Sequence, residues 1–144
     1  MIQHIDVQAV LRQSVPGLYS DLVTRPTGRA VREGIERVIE HGAAVAVMNF
    51  TGVGCLDYSC ADEIVAKLLR ERVRVLVLRG VSDAHREAIE PVLAGHGLAV
   101  VVERPDGVLE ALGPAATAEA LLEELVARRV AARMPGGTFA LTVS

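Results

Sequence analysis

Tryptophan is absent from this sequence, phenylalanine and tyrosine make up only 3% of it, and Lys67 is its only lysine. With so few aromatic rings, any core must be built from Val, Leu, Ile and Ala, and the 51% hydrophobic share is ample for one. The lack of lysine rules out a Walker-type phosphate loop and leaves one Schiff-base candidate with nothing beside it to activate it. The two cysteines, Cys55 and Cys60, lie too close together to form a disulfide framework, so a reduced, intracellular protein is expected. The first ten residues carry no basic segment leading into an apolar stretch, and no secretory leader is expected. No apolar run approaches the roughly 20 residues of a membrane helix. A net charge of -3 gives no global attraction to nucleic acid or anionic lipid. A cytoplasmic protein without membrane contact follows from these absences.

What is present is a clear α/β pattern in a chain of 144 residues. Residues 44–50 (AVAVMNF), 73–78 (VRVLVL) and 98–102 (LAVVV) are short, continuously apolar and rich in valine. Such runs mark central strands covered on both faces, as in a mostly parallel sheet. Between them lie helical patterns. Residues 27–41 place Ala30, Val31, Ile35, Val38 and Ile39 on one face, with Glu33/Arg37 and Arg32/Glu36 pairs on the other. Residues 60–72 bury Ala61, Ile64, Val65, Leu68 and Leu69, with Ser59 as the expected cap and Asp62 three residues on. A third helix starts at Ser82, is expected to be kinked or shortened by Pro91, and ends at Gly95 and Gly97. The N-terminal stretch is read as one or two flanking strands, around Ile5 and Val7 and then over residues 18–23, turning at Pro16-Gly17.

Arg104-Pro105-Asp106-Gly107 predicts a hairpin between residues 100–103 and 108–112, and Gly113-Pro114 then marks a boundary. The expected organisation is therefore a domain over residues 1–113 and a helix–hairpin extension over 114–144. That extension, with a helix over 117–129 and strands over 130–134 and 138–143, looks like the last helix and wing of a winged-helix domain. Arg128, Arg129 and Arg133 are its candidate nucleic-acid contacts, although Glu119, Glu123 and Glu124 would oppose phosphates. DNA binding is thus the weaker partner class. An apolar chain with few aromatics also raises the expectation of self-association.

The most informative segment is residues 50–63 (FTGVGCLDYSCADE). It leaves a buried strand, turns through glycines, and sets Asp57 and Ser59 at the start of a helix, where free N–H groups and the helix dipole favour negative charge. Here the chain resembles the STAS family (sulfate transporter and anti-sigma factor antagonist), in particular its STAS-like branch. The resemblance is carried by Asn49-Phe50-Thr51-Gly52-Val53, Asp57-Tyr58-Ser59-Cys60 and Ala61-Asp62-Glu63. Leu22-Val23-Thr24-Arg25, Leu78-Arg79-Gly80-Val81-Ser82 and Gly97-Leu98 add to it, so that it covers roughly residues 15–103.

The resemblance implies a STAS-like fold and a phosphorylation-gated binding module; the residues themselves offer no constellation for a conventional active site, so no cofactor and no catalysis are expected. It implies a partner that is a histidine-kinase-like ATPase, acting as kinase or anti-sigma factor, which phosphorylates Ser59 and is thereby released. The implied partner-binding residues are Asp57, Tyr58, Ser59, Cys60, Asp62 and Glu63. The chain departs from the pattern at Cys60, where the family has glycine, and at Tyr58, where it has a small residue. Asp57, Asp62 and Glu63 would also repel an added phosphate.

A small-molecule or covalent-catalysis site on the same loop is the remaining alternative. Ser59 or Cys60 would need His85, with Asp83, at the carboxyl end of the sheet. The chain has no G-x-S-x-G elbow, and His85 reads as an exposed residue of the first turn of its helix. Cys55 and Cys60 have no histidine nearby in sequence and do not form a recognisable metal site.

Overall fold

The computed structural model describes residues 2–17, 20–40 and 42–142. Three βα units run in chain order and lead to a fourth strand: β1 (Ile2–Asp6) and α1 (Val7–Ser14), with α2 (Arg25–Val38) following; β2 (Val45–Asn49) and α3 (Tyr58–Ala61); β3 (Val75–Arg79) and α5 (Asp83–His96); then β4 (Val100–Glu103). Helix α3 widens into a π-helical turn at Asp62–Ala66 and continues as α4 (Lys67–Glu71). After β4 come β5 (Val108–Leu112), α6 (Ala115–Ala127), β6 (Ala131–Arg133) and β7 (Phe139–Leu141).

The seven strands form one sheet of order β1-β2-β3-β4-β5-β7-β6. The first four are parallel and the remainder antiparallel. Because each parallel strand lies beside its predecessor and such crossovers share one hand, the connecting helices collect on one face. Strand side chains alternate between two cores. Ile5, Ala46, Met48, Leu76, Leu78, Val100 and Val102 pack under α1 to α5. Val45, Val47, Val75, Val77, Ala99 and Val101 face Ala118, Leu121 and Leu125 of α6. That two-sided burial explains why these strands are apolar without alternation.

The three apolar runs and the 104–107 hairpin form the expected elements, and four other expectations are corrected. Residues 7–14 are helical rather than extended: Asp6 caps them by accepting from Ala9 N, and Val7, Val10 and Leu11 fall on one buried face. Of the expected strand over 18–23, residues 18 and 19 lie outside the described part, and of residues 20–23 only Leu22 makes a single bridge, to Leu56. Pro91 does not shorten α5, since Glu87, whose carbonyl it leaves without an amide donor, lies on an exposed face where water can serve it. The helix ends instead at Gly97, which takes a left-handed conformation at φ 64°.

The fourth correction concerns the extension expected over 114–144, of which residues 143 and 144 lie outside the described part. Residues 114–142 are a layer and an edge of the same sheet rather than an extension, because α6 covers its second face and β7 pairs with β5. Among the described residues no helix is long and apolar enough to cross a membrane.

Two glycines let the helices approach closely. A Cβ on Gly34 would meet Val10 and Ser14 of α1, and one on Gly28 would lie 2.8 Å from the Cys60 Cα. Gly28→Ala should therefore lower stability by about 1–3 kcal/mol despite alanine's better helix propensity. Gly95→Ala in α5, where the nearest atom is the Tyr58 hydroxyl at 3.8 Å, should be neutral or stabilising. Urea unfolding midpoints of the two variants check this contrast.

Candidate functional site

The loop between β2 and α3 is held from several sides. Phe50 N donates to Arg79 O, Thr51 N to the Asn49 carboxamide, and Gln8 to Gly52 O. Residues 20–24 run alongside the loop: Gly54 N donates to Ser20 O, Leu22 N to Cys55 O, Asp57 N to Leu22 O, and Cys55 N to the Asp21 carboxylate. A Cβ on Gly54 would collide with that carboxylate, so glycine is needed there for close approach.

Asp57, not Ser59, caps the helix. Its Oδ1 accepts from Cys60 N and from the Ser59 hydroxyl, each at 2.8 Å, and its Oδ2 accepts from Thr24 N at 2.8 Å. Burial pushes the Asp57 carboxyl up, but the Cys60 and Thr24 N–H groups and the Ser59 hydroxyl outweigh it and leave the group below the usual carboxylate range. The expected Ser59/Asp62 capping box is therefore absent. Ser59 sits two positions past the cap, and half-buried, it donates its hydroxyl hydrogen to the residue that caps.

Thr24 carries the most unusual backbone of the site, with φ 71° and ψ 143°. A β-branched residue there is strained, at a cost of order 1–3 kcal/mol. Besides the Asp57 bond on its N–H, its carbonyl accepts from Gly28 N and from the Cys60 thiol, both at 3.1 Å. A surface cleft of about 620 Å³ opens beside it, lined by Val15, Pro16, Asp21, Val23, Thr24 and Thr27.

The expected contact residues divide in two. Tyr58 is 50% exposed, and Asp57, Ser59 and Asp62 are half-buried. Cys60 and Glu63 are fully buried, which corrects their expected place on the contact surface. The helix lies between α2 and α5, so only a narrow strip of it meets solvent; Cys60 faces Gly28 across the gap.

Glu63 lies in the π-helical turn and is met by three cations. Arg25 Nη1 and Lys67 Nζ approach Oε2 at 2.7 Å, and Arg32 Nε approaches Oε1 at 3.0 Å. Burial pushes this carboxyl up, but the bonds from Lys67, Arg32 and Arg25 bring it down to about 2. Arg25 also holds Asp62, which bonds His96 on its other oxygen. The Arg32–Glu36 pair expected on an outer face does form, at 2.6 Å, but Arg32 turns it toward this network.

The alternative sites look different in three dimensions. His85 is buried, not exposed. Its Nδ1 accepts from Ser82 N, so Nε2 carries the proton and donates to Gly54 O at 2.7 Å. Both ring nitrogens are thus occupied, and no Ser59–His85–Asp83 or Cys60–His85 set is assembled. Burial, then the Asp57 carboxylate, pushes the Cys60 thiol up to about 12.

At the carboxyl edge the parallel strands end in register on Asp6, Asn49, Arg79 and Glu103, with Arg79 paired to Glu103. Strand order does not reverse there, so this edge has no topological switch point; it carries two small clefts, one lined by His4, Asp6, Asn49 and Arg79 and one by Arg79, Gly80, Glu103 and Arg104. Arg128 pairs with Glu124, and Arg133 pairs with Glu123 while stacking over Phe139. Arg129 ends α6 at φ 62°. The expected wing is β6 and β7, built into the sheet.

The sequence marks Leu22-Val23-Thr24-Arg25 as part of the resemblance and as a helix start, but neither reading gives the roles of Thr24 and Arg25. The chain matches no family model, no curated protein and no solved structure.

Two outcomes follow from these environments. Glu63 has a folded pKa of about 2 against an ordinary value of 4.5, so its contribution is complete above about pH 4.5 and is lost as pH falls toward 2. Glu63→Gln should cost about 3 kcal/mol at pH 7 and flatten the loss of stability between pH 4.5 and 2, as read by urea unfolding across pH. In the native protein a thiol reagent should label exposed Cys55 and spare Cys60 until urea unfolds the chain, as read by peptide mass spectrometry.

Proposed function

We propose that this protein is a non-catalytic regulatory module that binds another protein through the loop leading into α3, with Ser59 as a phosphorylation switch. The observation that carries the proposal is the Ser59 hydroxyl, half-exposed at the first turn of the helix and bonded to the Asp57 carboxylate. The surface around it suits recognition. Among the described residues the large exposed apolar side chains are Val23, Val38, Tyr58 and Met134, and two of these adjoin the Asp57–Thr24 contact. The backbone polar groups of the loop are largely satisfied from within the chain, so a partner meets a preformed shape.

The sequence resemblance to the STAS-like branch supports a histidine-kinase-like ATPase as partner, acting in the cytoplasm as kinase or anti-sigma factor. The kinase would transfer the terminal phosphoryl group of a nucleoside triphosphate to Ser59 Oγ, releasing the diphosphate and the hydroxyl proton. The product places a near-dianion beside Asp57, with Asp62 one turn on. Repulsion at that point opposes the bound geometry and favours release.

The test incubates the protein with the cognate ATPase, maps phosphate by mass spectrometry, and measures partner affinity of the wild type, Ser59→Ala and Ser59→Asp. Phosphate on Ser59, retained binding by Ser59→Ala and at least a tenfold weakening by Ser59→Asp, about 1.4 kcal/mol, are expected. Equal binding by all three forms overturns the switch.

A further inference from the structure

We infer that Asp57 couples Ser59 to the strained backbone of Thr24, so that a charge placed on Ser59 releases residues 20–25 and reshapes the cleft beside them. The inference rests on the proposed role of Ser59 and adds the route by which the signal leaves it.

One carboxylate accepts from three donors. Asp57 Oδ1 takes the Ser59 hydroxyl and Cys60 N, while Oδ2 takes Thr24 N. Thr24 keeps its positive φ only while its surroundings over-determine it. Of its three backbone bonds, the one from Gly28 N belongs to any helix start, and the side-chain bond of its hydroxyl to Thr27 at 3.2 Å stays within α2's first turn; neither selects that φ. The selecting contacts are Asp57 on the N–H and the Cys60 thiol on the carbonyl, and both lie in the first turn that Ser59 shares.

A phosphoryl group on Ser59, drawn from a nucleoside triphosphate that leaves as the diphosphate, removes the hydroxyl hydrogen that Asp57 accepts. It also sets like charges face to face. Arg25, the neighbouring cation, already holds Asp62 and Glu63 and is not free to neutralise the pair. Displacement of the Asp57 side chain leaves the Thr24 N–H without its acceptor, and the residue relaxes to negative φ. The chain direction at Val23 and Asp21 changes with it, and both line the 620 Å³ cleft. A partner seated there would feel the change without touching the phosphate.

Amide exchange by NMR on the full chain tests this at Thr24, with the β3 amides as a control for global stability. Ser59→Glu and Asp57→Asn should each raise Thr24 exchange at least about tenfold and leave β3 unchanged, whereas Ser59→Ala, which adds no charge, should stay near wild type. In a Thr24→Gly background, where positive φ is unstrained, the effect of Ser59→Glu should be clearly smaller. A Thr24 amide that ignores both Ser59→Glu and Asp57→Asn overturns the coupling, as does a rise matched at β3. Partner release by Ser59→Asp with an unmoved Thr24 amide would leave the switch standing and remove this route. A moved amide with unchanged partner affinity would do the opposite.

Discussion

A single buried carboxylate sets the geometry of this protein. Glu63 has no solvent exposure and three cationic neighbours, two from α2 and one from α4. Removing a charge from water is expensive, and such an arrangement persists only when each oxygen is well bonded, as here. The clamp aligns α2 with the helix that starts at Tyr58, and Gly28 lets the two backbones come close enough for it to close. With that alignment, the start of α2 arrives beside the start of α3. Thr24 meets Asp57 there because Arg25 and Arg32 meet Glu63 further down.

The site inherits both rigidity and tension from this arrangement. Its rigidity comes from the buried pairs and from the plied segments 20–24 and 54–57. Its tension sits in one residue whose backbone would not choose its conformation unaided. Sites that must respond to a small chemical event often combine a fixed frame with a locally costly element, because only the latter can change state cheaply. Around the site the Cys60 thiol is held neutral, the His85 imidazole is engaged at both nitrogens, and the Ser59 hydroxyl faces a carboxylate already bound to two N–H groups.

The central sheet was legible in the sequence because strands buried on both faces have an unmistakable apolar character, as in residues 44–50 and 73–78. The hairpin at Arg104-Pro105-Asp106-Gly107 was legible for its turn chemistry. Helix α1 does not stand out in the sequence, although Asp6 followed by Val7, Val10 and Leu11 carries the spacing; eight residues are too few for periodicity to show. The segment holding Ser59 and Asp57 was legible, but their division of labour was not. A serine and an aspartate two residues apart both suit a cap, and only the true first residue of the helix decides between them. The resemblance puts Glu63 on the contact surface; of its three cations only Lys67, four residues on, is local, while Arg25 and Arg32 are 38 and 31 residues away in α2. One Glu–Lys pair at helical spacing reads as an exposed pair, and the two long-range partners that bury it leave no local trace. The boundary at Gly113-Pro114 was real in composition, yet it marks a change of sheet face.

The strand order has a consequence for how the protein assembles. β1 to β4 are laid down side by side, each pairing with its predecessor, so this half can grow in the order of translation. The other end cannot. β6 touches the sheet solely through β7, which is made after it and lies between it and β5. The edge beyond β5 therefore stays unfinished until β7 slots in, and through that interval the second core, under α6, is the part of the molecule most open to wrong pairing.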